Sequence, residues 1–542
     1  MAWTQIYDPM NNLALSAFLA AIPMIVIFYL LAVKRVPGQY AGATAVISAV
    51  LVAIFVYKMP AETALSATGI GALYGLFPIF WIVATAIFIY NMTVETGQFE
   101  IVKDSIATIT DDRRLQALLI AFGFGAFLEG AAGFGTPVAI SAGMLVGLGF
   151  NPLYAAGLCL IANTAPVAFG GIGIPIIVAG QVSGIDAMKI SQMVGRQLPF
   201  ISVIIPIWLV MLMAGWKATK EVMPACLVAG LSFALVQWFT SNFIGPELPD
   251  ILSSLSTIIC TTIFLKYWKP AKIWRFENEP APTLKADRKS LTTAVVLKAW
   301  SPFILLTVMV ILWGIKPIGD MLNLVTVKWA VPGLQKMIMQ VAPISKVPTA
   351  VSIVYSINWL SAAGTALFIS SLLTAAVLGV SPSKFCDILG RTCKQLVKPL
   401  VTIMCVLGLA YIMNYSGMSA TLGLFLAGSG SFFPFFAPFL GWLGVFLTGS
   451  DTSANALFGN LQAVTGQQIG VDPTLMVAAN SSGGVCGKMI SPQSIAIATA
   501  ATGLVGQEGD LFSFTIKHSL VLAVIIGLMT YVQAYYMTWM IP

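Results

Sequence analysis

Three charged residues of this 542-residue chain stand alone in long apolar stretches: Glu129, Asp451 and Lys488. If the surroundings are lipid, insertion of one charged side chain costs at least about 2.5–3.5 kcal/mol of free energy. An ion pair between Lys488 and one carboxylate is one interpretation, but it leaves the other carboxylate without a partner. Burial of an unpaired carboxylate favours its protonated form, so we expect Asp451 or Glu129 to carry a proton. Asp451 is the first candidate because Thr, Ser and Asn residues flank it.

Glycine-rich and polar interruptions surround these charges. Glycine lets a backbone turn sharply and approach a ligand, and the free N–H groups where a helix starts attract anions. Close packing of small residues between helices is the alternative explanation. The residues expected to contact a ligand are Asn163, Thr164, Gly170, Gly171, Ser450, Thr452, Ser453, Asn480, Ser481, Ser482 and Lys488, with Gly130, Gly133, Gly135 and Gly449 at the chain reversals that approach it.

Motifs for enzymatic or metal chemistry are missing from the sequence. It contains no HExxH, GxSxG or GxxxxGK[ST] pattern, and His518 is the only histidine. His518 is expected at a membrane interface, beside Lys517. The seven cysteines form no CxxC pair, which argues against a zinc site. We therefore expect no enzyme activity, no cofactor and no bound metal.

The composition explains why these isolated charges matter. Only 9% of the residues are charged, 58% are hydrophobic, and the mean hydropathy is +0.90. A soluble domain carries roughly 25% charged residues, so a lipid bilayer is the environment that suits this chain. The net charge of +7 does not indicate nucleic acid, because the basic residues occupy short loops between apolar runs.

Apolar runs long enough to cross about 30 Å of hydrocarbon recur along the chain. The basic loops orient them, because Lys and Arg favour the cytoplasmic side. They predict periplasmic N- and C-termini, a cytoplasmic linker at 266–298 and a periplasmic loop at 241–249. The loop at 317–355 would also be periplasmic, and it fits the rule poorly because it holds four lysines. The runs lie at 13–33, 39–57, 64–92, 198–215, 221–240, 250–266, 300–316, 360–380, 397–413 and 518–541.

The two halves of the chain resemble each other at an offset near 320 residues. FGAFLEGA, which begins at Phe124, aligns with LGVFLTGS, which begins at Leu443. The basic loops give the two copies opposite orientations, as in inverted-repeat transporters. We predict an all-α polytopic protein with about twelve transmembrane helices. Repeat 1 (1–220) has a re-entrant hairpin at 114–150 and a broken helix at 153–183; a linking helix pair and linker occupy 221–298; repeat 2 (299–542) has a hairpin at 432–470 and a broken helix at 474–504.

Long motifs make the chain resemble the bacterial lactate permease family. They are FLEGAAGFGTPVAI from Phe127, NPLYAAGLCLIANTAPVAFG from Asn151, GRQLPF from Gly195, SNFIGPELPD from Ser241, FLGWLGVFLTGSDTSANALF from Phe439 and GKMISPQSIAIA from Gly487. The family pattern has an alanine at the position of Thr136, directly after Gly135, so this chain departs from the first motif there.

This resemblance implies a secondary transporter of the bacterial inner membrane that carries L-lactate, D-lactate or glycolate with a proton, by an elevator movement. Two alternatives remain open: a sodium-coupled carboxylate transporter, since Asn, Ser and Thr oxygens also suit Na⁺, and a passive organic-anion channel. A homo-oligomer is compatible with the sequence.

Overall fold

The computed structural model is helical over most of its length, as the composition predicts. It describes residues 2–34, 36–131, 133, 136–276, 292–332, 334–345, 347–351 and 353–542. Gly135, one of the predicted ligand-approaching glycines, and residues 277–291 of the predicted linker lie outside the described residues.

Twelve described helices precede the middle of the chain. They are α1 (Leu13–Phe28), α2 (Gly38–Phe55), α3 (Ala61–Tyr74), α4 (Trp81–Glu95), α5 (Gln98–Ala107), α6 (Arg113–Gln116), α7 (Gly125–Ala131), α8 (Thr136–Gly147), α9 (Pro152–Ala162), α10 (Gly170–Ser183), α11 (Ala187–Val194) and α12 (Leu198–Glu221). π-Helical turns at Tyr29–Val33, Gly75–Phe80 and Ala117–Phe124 extend or join their neighbours, and a short 3₁₀ turn spans Val167–Phe169.

Another twelve described helices follow. They are α13 (Met223–Phe243), α14 (Pro249–Tyr267), α15 (Thr293–Gly314), α16 (Lys316–Asn323), α17 (Ala363–Leu378), α18 (Pro382–Ser416), α19 (Met418–Ala427), α20 (Phe433–Thr448), α21 (Asp451–Ile469), α22 (Pro473–Lys488), α23 (Pro492–Thr502) and α24 (Glu508–Tyr535). Short 3₁₀ turns lie at Gly430–Phe432 and Thr538–Met540.

The described helices confirm an all-α polytopic membrane protein. Ten of them, single or joined, are long and apolar enough to cross a membrane, or eleven if the bent pair α9–α10 counts as one span. Large apolar side chains such as Phe18, Phe55 and Leu235 are exposed on the outside. Lipid accepts such a surface, and helices satisfy their backbone polar groups there. The count of twelve crossings and the inverted orientation of the repeats remain predictions.

Helices occupy both predicted hairpins and both predicted broken helices. The first hairpin region contains α6 to α8 and the second contains α20 and α21. The first broken helix, α9 and α10, bends by 64° between Ala162 and Val167. The second, α22 and α23, is interrupted between Lys488 and Pro492. In α10 the backbone of Gly171, Ile172 and Gly173 is left-handed, with φ of 53°, 61° and 71°.

Helix α18 begins earlier than the sequence predicts. The predicted apolar run begins at residue 397, yet α18 runs continuously from Pro382 to Ser416, through a segment that carries three lysines and an arginine. Ile388, Thr392 and Leu396 are buried at a spacing of four residues. The segment is therefore an amphipathic helix whose basic face is exposed. Charged residues on one face of a segment do not prevent it from forming a helix.

The predicted loop at 317–355 contains α16 and short strands. Strand β1 (Trp3–Thr4) pairs in parallel with β3 (Ile338–Gln340), which pairs antiparallel with β4 (Thr349–Ala350). Strands β2 (Val327–Ala330) and β5 (Val354–Ile357) form a second antiparallel pair, with Val327 opposite Ile357. The start of the chain is thus held to this segment, a long-range pairing that local patterns do not reveal.

Sixteen of the described helices fall into two packed groups, which we call the scaffold group and the hairpin group. The scaffold group comprises α1 to α4, α15, α17 and α18, in which α18 packs on α2 and α3 and α17 packs on α4 and α15. The hairpin group comprises α7 to α10 and α20 to α24, in which α22 packs on α20, α21 and α24 and α10 packs on α21. A cavity lies at the border between them.

Candidate functional site

A cavity of about 850 Å³ lies where the hairpin group meets the scaffold group. One wall is formed by α1, α2 and α18, with residues such as Gln39 and Thr402. The opposite wall is formed by the starts and ends of hairpin-group helices. Ten predicted site residues line it: Glu129, Gly133, Gly170, Gly171, Gly449, Ser450, Asp451, Thr452, Ser453 and Lys488.

Asp451 is the first residue of α21 and is 3% exposed. Its Oδ2 accepts hydrogen bonds from the Ser481 hydroxyl (2.6 Å) and the Asn455 amide (3.3 Å). Its Oδ1 has no hydrogen-bond partner among the described residues. A β-carbon on Gly484 would lie 2.1 Å from that oxygen, so a larger residue at this position would have to displace the carboxylate. Asp451 is thus held by one oxygen and has the other unpartnered.

Lys488 ends α22, and its ammonium donates to the Gly449 carbonyl at 2.7 Å. Both Glu129 and Asp451 lie within range of its charge. No ion pair within 4.0 Å joins Lys488 to either carboxylate in the described chain, and Lys488 is 8% exposed. The three charges that the sequence left isolated therefore share one cavity without neutralising each other by direct contact.

Three helix starts face this cavity. Ser450, Asp451, Thr452 and Ser453 line it at the start of α21, and Pro492 and Gln493 do so at the start of α23. Gly170 and Gly171 line it where the chain re-enters α10. Helix N-termini carry partial positive charge and free N–H groups, which suits an anion.

Hydroxyl groups beside the first helix start are available to a ligand. The side chains of Thr452 and Ser453 make no hydrogen bond to any residue that the structure describes, whereas Ser450 accepts from the Ser453 N–H at 3.2 Å and caps α21. The left-handed conformation of Gly449 (φ 71°) ends α20 directly before these residues. The chain reversal thus presents both hydroxyls to the cavity.

The predicted contacts at Asn480, Ser481 and Ser482 are not in the cavity wall. All three side chains are fully buried. Asn480 donates to Asn455 Oδ1 at 2.9 Å and accepts from Gln462 Nε2 at 3.1 Å. These bonds connect α21 and α22 behind Asp451, so the polar side chains of α22 position the carboxylate from the side away from the cavity.

Ser482 belongs to a separate set of contacts. It donates to Gln197 Oε1 at 2.7 Å, and Gln197 in turn donates to Gln533 Oε1 at 2.8 Å. The serine therefore connects α22 to the start of α12 and to α24. Sequence spacing alone assigned the neighbouring Ser481 and Ser482 one role, although their side chains point to different helices.

The predicted contacts at Asn163, Thr164 and Gly130 also lie outside the cavity wall. Asn163 and Thr164 are buried in the break between α9 and α10, and the Thr164 hydroxyl has no hydrogen-bond partner within the described chain. Asn163 lies beside Glu129. Gly130 packs against α14, where a β-carbon would lie 2.7 Å from that of Asp250.

Asp250 is a buried carboxylate that the sequence analysis missed. It is 1% exposed and occupies the first turn of α14, directly after the segment predicted to be a periplasmic loop. The absence of Lys and Arg was used there only to assign a side of the membrane. Two acidic residues in a segment without basic ones were the available signal.

His518 is buried between helices, and its position at a membrane interface stays a prediction. It is 9% exposed and lies in the first half of α24, where its Nδ1 accepts from Trp208 Nε1 at 3.1 Å. Its ring also contacts the ring of Phe514. The His518 side chain therefore packs against α12. Helix α24 begins at Glu508, ten residues before the apolar run whose start predicts an interfacial position for His518.

The described residues contain no group of three or more His, Cys, Asp or Glu side chains that could hold a metal ion. The residues that line the cavity offer charges, hydroxyls and helix starts. These can hold a small anion and exchange a proton.

Comparison with known proteins gives a family and close relatives. The family model described as L-lactate permease matches residues 16–537. The chain is 53% identical to the glycolate permease GlcA of Escherichia coli K12 and to the L-lactate permease of Bacillus subtilis 168, in each case over 100% of both chains. The L-lactate permease of Salmonella typhimurium LT2 is also 53% identical over 100% of both chains. These relatives are named as transporters and not as enzymes.

Solved structures that match over most of the chain have much lower sequence identity. The YdaH transporter of Alcanivorax borkumensis has 15% sequence identity and a TM-score of 0.45, with 86% of this chain and 87% of that one covered. MtrF of Neisseria gonorrhoeae has 12% identity and a TM-score of 0.47, with 88% and 83% covered.

Proposed function

This chain belongs to the L-lactate permease family, and on that basis we propose that it carries L-lactate, D-lactate and glycolate together with a proton across the bacterial inner membrane. The names of the relatives support the substrate class. The observation that carries the coupling is the cavity that holds Lys488 with two carboxylates that it does not neutralise directly.

The substrate carboxylate binds at the starts of α21 and α23, next to the Lys488 ammonium. The free hydroxyls of Thr452 and Ser453 lie in the same wall and donate to the carboxylate or accept from the 2-hydroxyl group. A charge-assisted hydrogen bond is stronger than a neutral one, which favours Lys488 as the main contact. The cavity exceeds the size of a two- or three-carbon acid, so water fills the rest.

The proton occupies Asp451, with Glu129 as the second candidate. The unpartnered Oδ1 of Asp451 is the oxygen that receives it. With the proton bound, the negative charge of the substrate is balanced and the loaded site crosses the membrane without added net charge. Without it, the same movement would bury an extra negative charge, and that penalty couples the two fluxes.

The hairpin group moves against the scaffold group in an elevator-like step. The position of the cavity supports this, because its two walls belong to different groups. In this scheme the repeats 1–220 and 299–542 are inverted, both termini are periplasmic, and the residues that hold the substrate travel together. Self-association is compatible with the scheme and not required by it.

The test is uptake by the purified protein in liposomes. An inward proton gradient is expected to drive accumulation of labelled lactate above the external concentration in sodium-free buffer, and unlabelled glycolate is expected to compete. Accumulation that requires sodium at constant pH would instead support a sodium-coupled carboxylate transporter. Lactate flux without accumulation would support a passive anion channel.

A further inference from the structure

A second cavity, of about 450 Å³, lies at the ends of three membrane-spanning helices. Helix α12 begins beside it at Leu198, α13 ends beside it at Phe243, and its lining residue Met540 follows the end of α24. We call it the Arg196 cavity, after the charged residue of its described lining. Its volume lies in the range of about 300–1,000 Å³ that is typical of small-molecule sites. It shares no lining residue with the cavity of the transport scheme.

Two sequence motifs to which the transport scheme assigns no role meet in the Arg196 cavity. The motif GRQLPF contributes Arg196 to the lining, and SNFIGPELPD contributes Asn242 and Phe243. A β-carbon on Gly195 would lie 1.8 Å from the Ser241 hydroxyl oxygen, so the two motifs pack directly against each other. The lining of the cavity therefore depends on tertiary packing between segments that are distant in sequence.

Two hydrogen bonds fix the guanidinium of Arg196 in this lining. Its Nε donates to Asn242 Oδ1 at 2.9 Å, and its Nη1 donates to the Met540 carbonyl at 2.8 Å. Among the residues that the structure describes, Nη2 has no hydrogen-bond partner and no carboxylate lies within 4.0 Å of the guanidinium. Because a guanidinium is always charged in proteins, Arg196 brings an unbalanced positive charge and free N–H donors to the cavity.

A simpler role for Arg196 would be that of an anchor at the membrane surface, with its charge in water. Such an anchor extends its charged group away from the protein, whereas Arg196 is bound back to it through Nε and Nη1. Arg391 provides a second comparison, because two acids balance its charge: Glu95 at 2.7 Å and Asp387 at 2.9 Å. Arg196 has only neutral partners in the described chain, so an anion that balances it has to come from outside.

The wall beside Arg196 is aromatic and exposed, which favours a lipid as the source of that anion. Four aromatic side chains, each at least 43% exposed, line the cavity: Phe200, Trp238, Phe243 and Trp539. Tryptophan is enriched where hydrocarbon meets the headgroups, and the ends of spanning helices lie at that depth. The acyl chains of a phospholipid can pack on this wall while its phosphate reaches the guanidinium. A small soluble anion would gain nothing from the aromatic side chains.

The polar part of the cavity favours an anionic headgroup over a zwitterionic one. A guanidinium forms strong hydrogen bonds with phosphate oxygens. Pro199 and Phe200, in the first turn of α12, also line the cavity, and the partial positive charge of a helix start favours the same anion. The described lining contains no acidic side chain that could pair with the ammonium of a zwitterionic headgroup.

We propose that the Arg196 cavity binds one anionic phospholipid of the surrounding membrane, with Arg196 on its phosphate and the aromatic wall on its acyl chains. The inference does not rest on the proposed transport function, because no step of the transport scheme involves this cavity. It also holds for either orientation of the protein, since both leaflets of a membrane present phosphates at the ends of spanning helices.

The experiment is a titration of the detergent-purified protein with phosphatidylglycerol, with the bound lipid counted by native mass spectrometry. The wild-type protein is expected to bind a first molecule of phosphatidylglycerol more tightly than phosphatidylethanolamine. Arg196→Gln is expected to weaken this first binding step roughly 10- to 100-fold, the effect of losing one charge-assisted hydrogen bond. Arg391→Gln is the matched control and is expected to keep the wild-type affinity, because the charge of Arg391 is already balanced within the chain.

A second variant and a competing anion keep the test decisive. The side chain of Trp539 is 74% exposed, so Trp539→Ala shortens the aromatic wall without opening the core, and it replaces Arg196→Gln if that variant does not elute as a folded, monodisperse protein. It is expected to weaken phosphatidylglycerol binding several-fold. Inorganic phosphate at millimolar concentration is not expected to displace the lipid.

Three results would overturn the proposal. Unchanged phosphatidylglycerol affinity in the folded Arg196→Gln and Trp539→Ala variants would exclude the cavity as the lipid site. Equal affinity of the wild-type protein for phosphatidylethanolamine would exclude an anionic headgroup as the feature that is recognised. Displacement of the lipid by inorganic phosphate would show that the site is one for soluble anions.

Discussion

At the scale of single residues, the cavity holds its charges apart. The ammonium of Lys488 is bound to the Gly449 carbonyl, and the oxygen Oδ1 of Asp451 has no partner in the described chain. A fully paired site would gain little from a ligand, since the pair itself would satisfy both charges. The arrangement seen here leaves a cation for an anionic substrate and a carboxylate for a proton.

Substitution of Lys488 by Met is expected to weaken substrate binding. A charge-assisted hydrogen bond contributes about 1.5–3 kcal/mol, and about 1.4 kcal/mol corresponds to a tenfold change in affinity. The KM for lactate uptake in liposomes should therefore rise roughly 10- to 100-fold. Lys394→Met, at an exposed position of α18, is the control and should leave the KM unchanged. An unaltered KM in Lys488→Met would exclude the ammonium as a substrate contact.

Substitution of Asp451 by Asn is expected to uncouple the two fluxes. Asn keeps the shape of the side chain but cannot bind and release a proton, so the variant should not accumulate lactate against its gradient. The accumulation ratio in liposomes with an inward proton gradient measures this. Asp186→Asn is the control, because Asp186 is an exposed helix cap whose Oδ1 accepts from the Met188 N–H at 2.9 Å, and Asn caps helices equally well. Normal uphill uptake by Asp451→Asn would show that another carboxylate carries the proton.

At the scale of helices, glycines let α20 approach α22 closely. Added β-carbons would lie 1.8 Å from the Asn480 carbonyl oxygen at Gly441, 2.0 Å from that of Pro438 at Gly483 and 2.2 Å from that of Trp442 at Gly487. These contacts are with backbone, which cannot rotate away. Because Asp451 follows α20 and is held by Ser481 of α22, this close packing fixes the carboxylate in the cavity wall.

The variant Gly441→Ala is expected to be less stable than the wild-type protein. Overpacking of a core typically costs about 1–3 kcal/mol, and the midpoint of thermal unfolding in detergent should fall accordingly. Gly390→Ala is the matched control, because Gly390 is also helical but nothing lies within 4 Å of its added β-carbon. There the better helix propensity of Ala should keep or raise the midpoint, by up to about 1 kcal/mol in stability. An equal loss in both variants would mean that the α20–α22 contact is not tight.

At the scale of the whole molecule, the proposed orientation puts both termini and the strand-containing segment on one side of the membrane. The pairing of β1 with β3 requires the start of the chain and residues 338–340 to share a side. The basic face of α18 lies on the other side in the predicted topology. Cys386 and Cys393 are exposed on that helix and provide natural reporters.

Membrane-impermeant maleimide is expected to label Cys386 and Cys393 from the cytoplasmic side only. Inside-out vesicles should react and intact spheroplasts should not. A variant with both cysteines replaced by Ser and with Ala2→Cys should give the opposite result, because Ala2 is exposed and the predicted topology places it on the periplasmic side. Labelling of Cys386 and Cys393 in intact spheroplasts would show that the topology is the opposite of the predicted one. Labelling of all three sites from one side would contradict the predicted crossings.

The sequence by itself determined the membrane environment and the helical fold class, and it predicted bounds for the hairpins and broken helices. These depend on local composition, since a lipid-facing helix must be apolar and an interruption must contain glycine, proline or polar residues. It also identified Glu129, Asp451 and Lys488, because an isolated charge in an apolar stretch is visible without any knowledge of packing.

Only the tertiary structure decided which polar residues face the cavity. Ser481 and Ser482 are adjacent in sequence but bond to different helices. Asp250 is buried although it does not stand alone in a long apolar stretch. The direction of a side chain on a helix depends on which neighbours surround that helix, and those neighbours come from distant parts of the chain. Composition fixes how deep a residue can lie, whereas packing fixes what it contacts.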